Sequence, residues 1–257
     1  IKQAVNRVLG KTTIETALGV KLAAAPEMLA VIDLWSDMYQ DSPPWKGKNV
    51  QTLGLPAAIA GEIARLVTIE MQTGVTGSQR AEYLNGQYQR VIQDLRRYME
   101  YGCAKGGLIL KPYIDDGEIV VDYVQSGQFY PVAFDSKGNI TDIIFAERKQ
   151  AGEITYTRLE RHRLAGETCE ITNRAYRSLN KSYLGTETRL SEIEEWAGLE
   201  PQAYIRPVER LLVGYFRPAL ANTVDTTSPL GVSVYSRAVD LIEEADRQYS
   251  RLLWEFE

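Results

Sequence analysis

Hydrophobic positions along the 257-residue chain change their period twice. From Pro26 to about Gln40, Met28, Ile32, Trp35 and Tyr39 recur at helical spacing, which predicts a helix with one apolar face. The pattern returns from about Pro56 to Thr73, with Ile59, Ile63, Leu66 and Val67 expected inward. It returns again from about Arg80 to Tyr101, through Leu84, Tyr88, Val91, Ile92, Leu95, Tyr98 and Met99, with Gly102 as the expected stop. Residues 41–50, with Pro43, Pro44 and Gly47, read as a loop.

The period then falls to two. Leu108–Ile114 and Glu118–Val124 flank Asp115-Asp116-Gly117, a strong hairpin signal. Phe129–Phe134 and Ile140–Glu147 flank a turn at 135–139, and Ile154–Arg163 and Glu167–Asn173 flank Leu164-Ala165-Gly166. Leu108, Leu110, Val121, Tyr123, Val132, Ile144 and Tyr156 are placed by pleat parity, and a one-residue slip in register would invert their faces. A short helix near Leu190–Gly198 and a strand at Leu211–Phe216 precede the last helical stretch. There Val234, Ala238, Leu241, Ile242, Ala245, Tyr249, Leu252 and Leu253 share a stripe, with Ser228 as N-cap and Pro229 at the first helical position. The fold class is α+β: N-terminal helices, an antiparallel β-meander and a long C-terminal helix. Four segments follow: an N-terminal segment 1–25 with a short helix before Gly10, a helical part 26–105, the meander 106–178, and a return segment with the long helix 179–257.

Composition narrows the function classes. Hydrophobic residues at 44% and charged residues at 25% are those of a globular chain with a sizeable core. The longest apolar runs are too short to cross a bilayer, and no signal-peptide pattern opens the chain. Two cysteines, Cys103 and Cys169, make no disulfide framework, which fits a reducing compartment. A net charge of -5 argues against a protein that grips nucleic acid through its phosphates. The chain opens on Ile1 and stops at Glu257 without a helix stop signal, so the expectation is a part of a longer polypeptide.

Candidate chemistry is sparse. Gly10-Lys11-Thr12 has the end of a phosphate loop, but Val5 stands where the first glycine belongs and the residues before it are helical in pattern. A helix end followed by a loop accounts for it better. His162 is the only histidine, and pleat parity sets it beside Arg158 and Glu160, away from Leu159. That makes it a surface or cross-strand histidine, and it removes most histidine-based catalytic schemes. Cys103, Cys169 and His162 have no metal-ligand spacing, and Asp115-Asp116 is explained by its turn. Arg96-Arg97 and Arg158, Arg161 and Arg163 are interleaved with Asp94, Glu100 and Glu160, which reads as mixed-charge surface. Fifteen tyrosines against five phenylalanines suit protein–protein contacts and half-buried strands alike. The chain carries no expected catalytic residue, cofactor site or metal site.

One further signal is the order of short motifs. Trp35 and Tyr39, Pro44-Trp45, Leu53-Gly54-Leu55-Pro56 and Ala64-Arg65-Leu66-Val67 are followed by Tyr101-Gly102, Gly106-Gly107 and Lys111-Pro112-Tyr113. Phe129-Tyr130-Pro131-Val132, Phe134-Asp135 and Gly138 come next. The last group is Asn222 and Asp225, Ser228-Pro229-Leu230-Gly231, Ser233, Asp246, Tyr249 and Glu255. In this order they resemble tailed-bacteriophage portal proteins, in the branch from phages and prophages of Gram-positive bacteria. The resemblance covers most of residues 26–257, and its specificity rests on colinearity.

The resemblance implies a structural subunit, not an enzyme, in a ring of usually twelve copies at the capsid portal vertex, assembled in the host cytoplasm. Its implied partners are its own copies, terminase, the head–tail adaptor, capsid and scaffolding proteins, and double-stranded DNA passing without tight binding, with no membrane. It implies that this chain is the α+β wing region and that the stem, clip and crown lie beyond Glu257. An acidic chain suits a channel that should repel phosphates. Away from the final helix's stripe lie Arg237, Asp240, Glu244, Arg247, Arg251 and Glu255. They are either a solvated face with i,i+4 pairs or charges that register neighbouring subunits. Two other classes stay open: a nucleotide-binding enzyme built on Gly10-Lys11-Thr12, and another virion or tail adaptor.

Overall fold

The computed structural model describes residues 14–180 and 183–256. It is an α+β chain of two compact units. Gly127–Leu212, with residues up to Ala30 and Thr227–Pro229, forms one; Val31–Ser126, Val213–Thr226 and Leu230–Glu257 form the other.

The second unit holds most of the helices. α1 (Pro26–Tyr39) buries Met28, Ile32 and Trp35 as its spacing predicts, and the division between the units falls after its Ala30. α2 (Leu55–Thr68) is shorter than expected, and its buried face is Pro56, Ala60 and Ala64, four residues apart. Leu66 and Val67, expected inward, are exposed. The cause is the small-residue stripe. These small residues face the helix of residues 95–105, with Gly61 opposite the Glu100 carboxylate, and large side chains are turned away from such a contact.

The helix expected over 80–101 is two helices. α3 (Gln79–Gln93) is capped by Ser78, whose hydroxyl accepts from Ala81 N at 3.2 Å. The break falls at Asp94, where ψ is near zero, and α4 (Leu95–Lys105) follows. Gly102 does not stop a helix; it is buried inside α4. A Cβ there would lie 2.8 Å from the Phe216 ring, so glycine is required by packing and not by conformation. The left-handed stop is Gly106, at φ 81°.

β1 (Leu108–Asp115) and β2 (Glu118–Gln125) form the expected hairpin around Asp116-Gly117, both with positive φ, the signature of a type I′ turn. This hairpin does not continue into the later strands. It forms a three-stranded sheet with β9 (Gly214–Phe216), in the order β2-β1-β9. Leu108 and Ile109 are both buried, so β1 begins covered on both faces and alternation fails there.

The first unit is built on a six-stranded antiparallel sheet. β3 (Phe129–Phe134), β4 (Ile140–Ala151), β5 (Ile154–Ala165) and β6 (Thr168–Ser178) make the meander, with β7 (Thr186–Thr188) and β8 (Gln202–Ile205) both pairing with β6. Register sets Ile143–His162–Ile171, Phe145–Glu160–Asn173 and Glu147–Arg158–Ala175 across one face. Ile144 and Leu159 are buried on the other. Tyr156 and Ala175 pack with Ile193, the extended residue between two short 3-10 turns (Leu190–Glu192 and Glu194–Trp196), and with Trp196 in the second, where the sequence predicted a short helix.

Candidate functional site

The segment that carries most of the sequence signal, Asn222 to Phe256, lies in the second unit apart from Thr227–Pro229. Its first part is a closed turn. Asn222 Oδ1 accepts from the backbone N–H of Val224 (3.0 Å) and Asp225 (2.9 Å), and Asn222 Nδ2 donates to the Leu230 carbonyl at 3.1 Å. One asparagine thus folds the turn and ties its far end back.

Ser228 and Pro229 do not begin the helix as the sequence implied. Residues 228–233 run without helical structure, and the helix opens later with a 3-10 turn, Ser236–Ala238, followed by α5 (Val239–Glu255). The reason is burial. Leu230, Val232, Ser233 and Tyr235 are all buried, and Gly231 passes directly against Gly106. A Cβ on Gly231 would be driven into the Gly106 carbonyl oxygen and to 2.6 Å from Arg217 Cβ. The chain here threads the core beside the end of α4. Val234 N donates to the Cys103 carbonyl at 3.0 Å, and Gly231 N to the Tyr215 hydroxyl at 3.1 Å. A helical first turn would lift these groups out of reach. Tyr235 then donates its hydroxyl to the Trp35 carbonyl at 2.7 Å, and burial pushes that phenol well above its ordinary range.

α5 also differs from its expected stripe. The buried line is Ile242, Asp246 and Ser250, four apart, while Leu241 and Leu252 are exposed. Two of the three buried residues are polar because a loop of residues 41–54 is hydrogen-bonded to them. Asp246 is 2% exposed. Its Oδ2 accepts from the Trp45 indole N–H at 2.8 Å and its Oδ1 from Leu53 N at 2.9 Å. Ser250 Oγ accepts from Gln51 N at 2.9 Å and donates to the Asp246 carbonyl at 2.7 Å. The loop is closed on itself by Asp41, at φ 55°, which receives Lys46 Nζ at 2.7 Å and the Thr52 hydroxyl. The signal for this arrangement was a lone Asp at a helical apolar position, with no sequence-local partner to name.

On the opposite face of α5, Asp240, Glu244, Arg251 and Glu255 are exposed and Arg247 is half-buried; Arg237, also exposed, stands in the 3-10 turn before the helix. Arg247 pairs with Glu243 at 2.6 Å, and Glu244 accepts from Gln248. Arg251 and Glu255, four apart, form no ion pair among the described residues. With Asn49, Ser250 and Trp254 they line a shallow pocket of about 370 Å³. The face is therefore a set of surface charges beside an open depression, next to an apolar margin of Leu241, Leu252 and Phe256.

The other sequence candidates fall apart or fall outside. Gly10-Lys11-Thr12 and the helix expected before Gly10 lie outside the described residues. Of the two positions expected for His162, the structure gives the cross-strand one, between Ile143 and Ile171, and not the surface: it is buried, with Nε2 2.6 Å from Glu160 Oε1 and the Phe145 ring against it edge-on. Arg158 donates to Glu160 at 2.9 Å, to Asn173 Oδ1 at 3.0 Å and to Glu147 at 2.9 Å, and the Trp196 indole N–H also reaches Glu147. This is a polar row in the sheet, satisfied by its own members. Arg161, expected to share a surface with Arg158, projects from the other face onto Asp142 through two bonds of 2.9 and 2.6 Å. The pleat splits the arginine cluster.

Cys103 and Cys169 are free and buried; burial pushes the Cys103 thiol up to about 11 and raises Cys169 as well. Among the described residues, no group of three or more His, Cys, Asp or Glu is placed to hold a metal, and no helix is long and apolar enough to cross a membrane. Neither a protein-family model nor a curated protein sequence matches the chain.

Proposed function

We propose that this chain is the wing-like region of a phage portal subunit, a structural ring component at the capsid vertex. In that role it passes DNA without holding it and docks terminase on one occasion and the head–tail adaptor on another. One observation carries the reading. Residues that carry the resemblance, from distant parts of the chain, meet as the ties of one packed unit. Trp45 and Leu53 bond to Asp246, Trp35 accepts from Tyr235 two residues past Ser233, and Gly106 abuts Gly231. These motif positions, drawn from Trp35 to Asp246, are thus tied together within one unit, while Phe129-Tyr130-Pro131-Val132, Phe134, Asp135, Gly138 and Ser228-Pro229 belong to the other.

Charge supports the same role. The net charge of -5 favours repulsion of a passing duplex over retention. In this reading the exposed face of α5 (Arg237, Asp240, Glu244, Arg247, Arg251 and Glu255) orients neighbouring copies, since complementary charge sets register more than affinity. Light scattering on the complete polypeptide tests it. A mass of many subunits, reduced at high salt or by reversing Glu244 and Arg251 singly, is expected. A monomer at every salt concentration would refute ring assembly, and normal assembly of both single reversals would remove the charges from it.

A further inference from the structure

α5 has an apolar margin that its own unit leaves uncovered. Leu241 is 73% exposed and Leu252 52%. Leu241, Ala245, Gln248, Leu252 and Glu255 follow one another along α5 at steps of four, three, four and three, the spacing of a two-helix seam. Ala245 falls at its middle and adds only a methyl group to the seam, opposite the flexible side chain of Gln248. Along one flank, seven apart, stand Glu244 and Arg251, both exposed.

That flank decides which helix fits. In an antiparallel pair of α5 helices related by a two-fold axis, Leu241 meets the partner's Leu252 and Ala245 meets the partner's Gln248. Flank then faces flank, so Glu244 stands by the partner's Arg251 and Arg251 by the partner's Glu244. A parallel pair sets the same flank against Tyr249 and Phe256, and both charge pairs are lost. Self-complementarity of this kind is the requirement of an isologous contact, in which one patch serves both copies. We infer that α5 pairs with α5 of a second copy of this chain, antiparallel, with Leu241 and Leu252 in the seam and two reciprocal Glu244–Arg251 ion pairs.

The contact is small. A seam of a few side chains falls below the ~1,200 Å² of total buried surface typical of stable complexes, so the pair forms and dissociates with concentration. It does not depend on the ring reading. Ring neighbours meet through two different surfaces, whereas this pair uses one surface twice. While paired, α5 cannot offer the same face to a ring neighbour.

Sedimentation equilibrium of the 257-residue chain, from low micromolar to millimolar concentration, tests the inference. A monomer–dimer equilibrium is expected. Glu244→Arg should weaken it about tenfold, as should Arg251→Glu, because each replaces two attractive pairs by two repulsive ones. The double variant Glu244→Arg/Arg251→Glu should return within about threefold of the starting affinity, since the swapped pairs have the same energy. Both side chains are exposed, and circular dichroism verifies that each variant is folded. A chain monomeric throughout, or a dimer indifferent to the single reversals or not restored by the double, would overturn the pair. Ring-sized particles without a dimer would also overturn it, while leaving the ring reading standing.

Discussion

Replacing Asp246 separates a structural account of its burial from any other. Its carboxylate is 2% exposed and accepts two hydrogen bonds, from the Trp45 indole at 2.8 Å and from Leu53 N at 2.9 Å. Hydrogen bonds to a charged acceptor contribute about 1.5–3 kcal/mol each. The donors are not sealed from water, since Trp45 is half-buried and Leu53 is 43% exposed. Water therefore recovers part of the loss, and Asp246→Ala should cost about 2–4 kcal/mol, a large share of the ~5–15 kcal/mol of a typical domain. Asp246→Asn keeps one acceptor but turns an amide N–H₂ towards a donor, and should cost nearly as much. Trp45→Phe loses one bond and should cost about 1–2 kcal/mol. Because both changes remove the same bond, the double variant should be less than additive by about 1 kcal/mol. Urea unfolding followed by far-ultraviolet circular dichroism measures these differences, with the transition of each compact unit fitted separately. At a slope of about 2 kcal/mol per molar, 3 kcal/mol moves the midpoint by about 1.5 M. A loss below about 0.5 kcal/mol for Asp246→Ala, or strict additivity with Trp45→Phe, would refute the reasoning.

Three further outcomes follow from particular contacts. Gly231→Ala should destabilise by about 3 kcal/mol or more, because the added methyl collides with the Gly106 backbone and cannot be relieved by a side-chain rotation; a melting temperature within a degree of the parent would contradict this. Cys103 and Cys169 should resist a thiol reagent at pH 8 in the folded chain and react together once unfolded, since both are buried and both thiols are raised; rapid native labelling of either would show the burial to be wrong. Burial raises the phenols of Tyr235 and Tyr39, and that of Tyr123 to about 12. Folded pKa values above the unfolded value near 10 mean stability that is complete below pH 10 and lost as pH rises through the folded values. The urea midpoint should therefore be flat from about pH 7 to 8, begin to fall near pH 9 as the raised thiols of Cys103 and Cys169 ionise first in the unfolded chain, and fall further from about pH 10 upward, where Tyr123→Phe should shallow the fall.

The sequence made element types legible where periodicity was strong and local. α1 with Met28, Ile32 and Trp35, and the Asp116-Gly117 hairpin, need only near neighbours to be specified. It failed where the deciding contact was distant. Gly102 looks like a stop because nothing nearby shows that Phe216 will occupy its side-chain space. Leu66 and Val67 look inward because Ala60 and Ala64 carry little hydrophobic weight, although small size is what lets α4 approach. The hairpin at 108–125 looked continuous with the later strands because pairing with Gly214–Phe216 spans a hundred residues. At α5 the pattern found the helix but misassigned its inner line, since Asp246 and Ser250 count as polar until Trp45, Gln51 and Leu53 satisfy them. Motif order marked Asn222, Gly231 and Asp246 as special, and their roles emerged only from long-range contacts.

The central claim, that this chain is part of a ring-forming portal subunit, is tested most directly by electron-microscope imaging of the complete purified polypeptide. The account predicts hollow, rotationally symmetric rings of many copies, wide enough at the centre to admit a DNA duplex. Uniformly monomeric particles, or compact assemblies without a central opening, would contradict it.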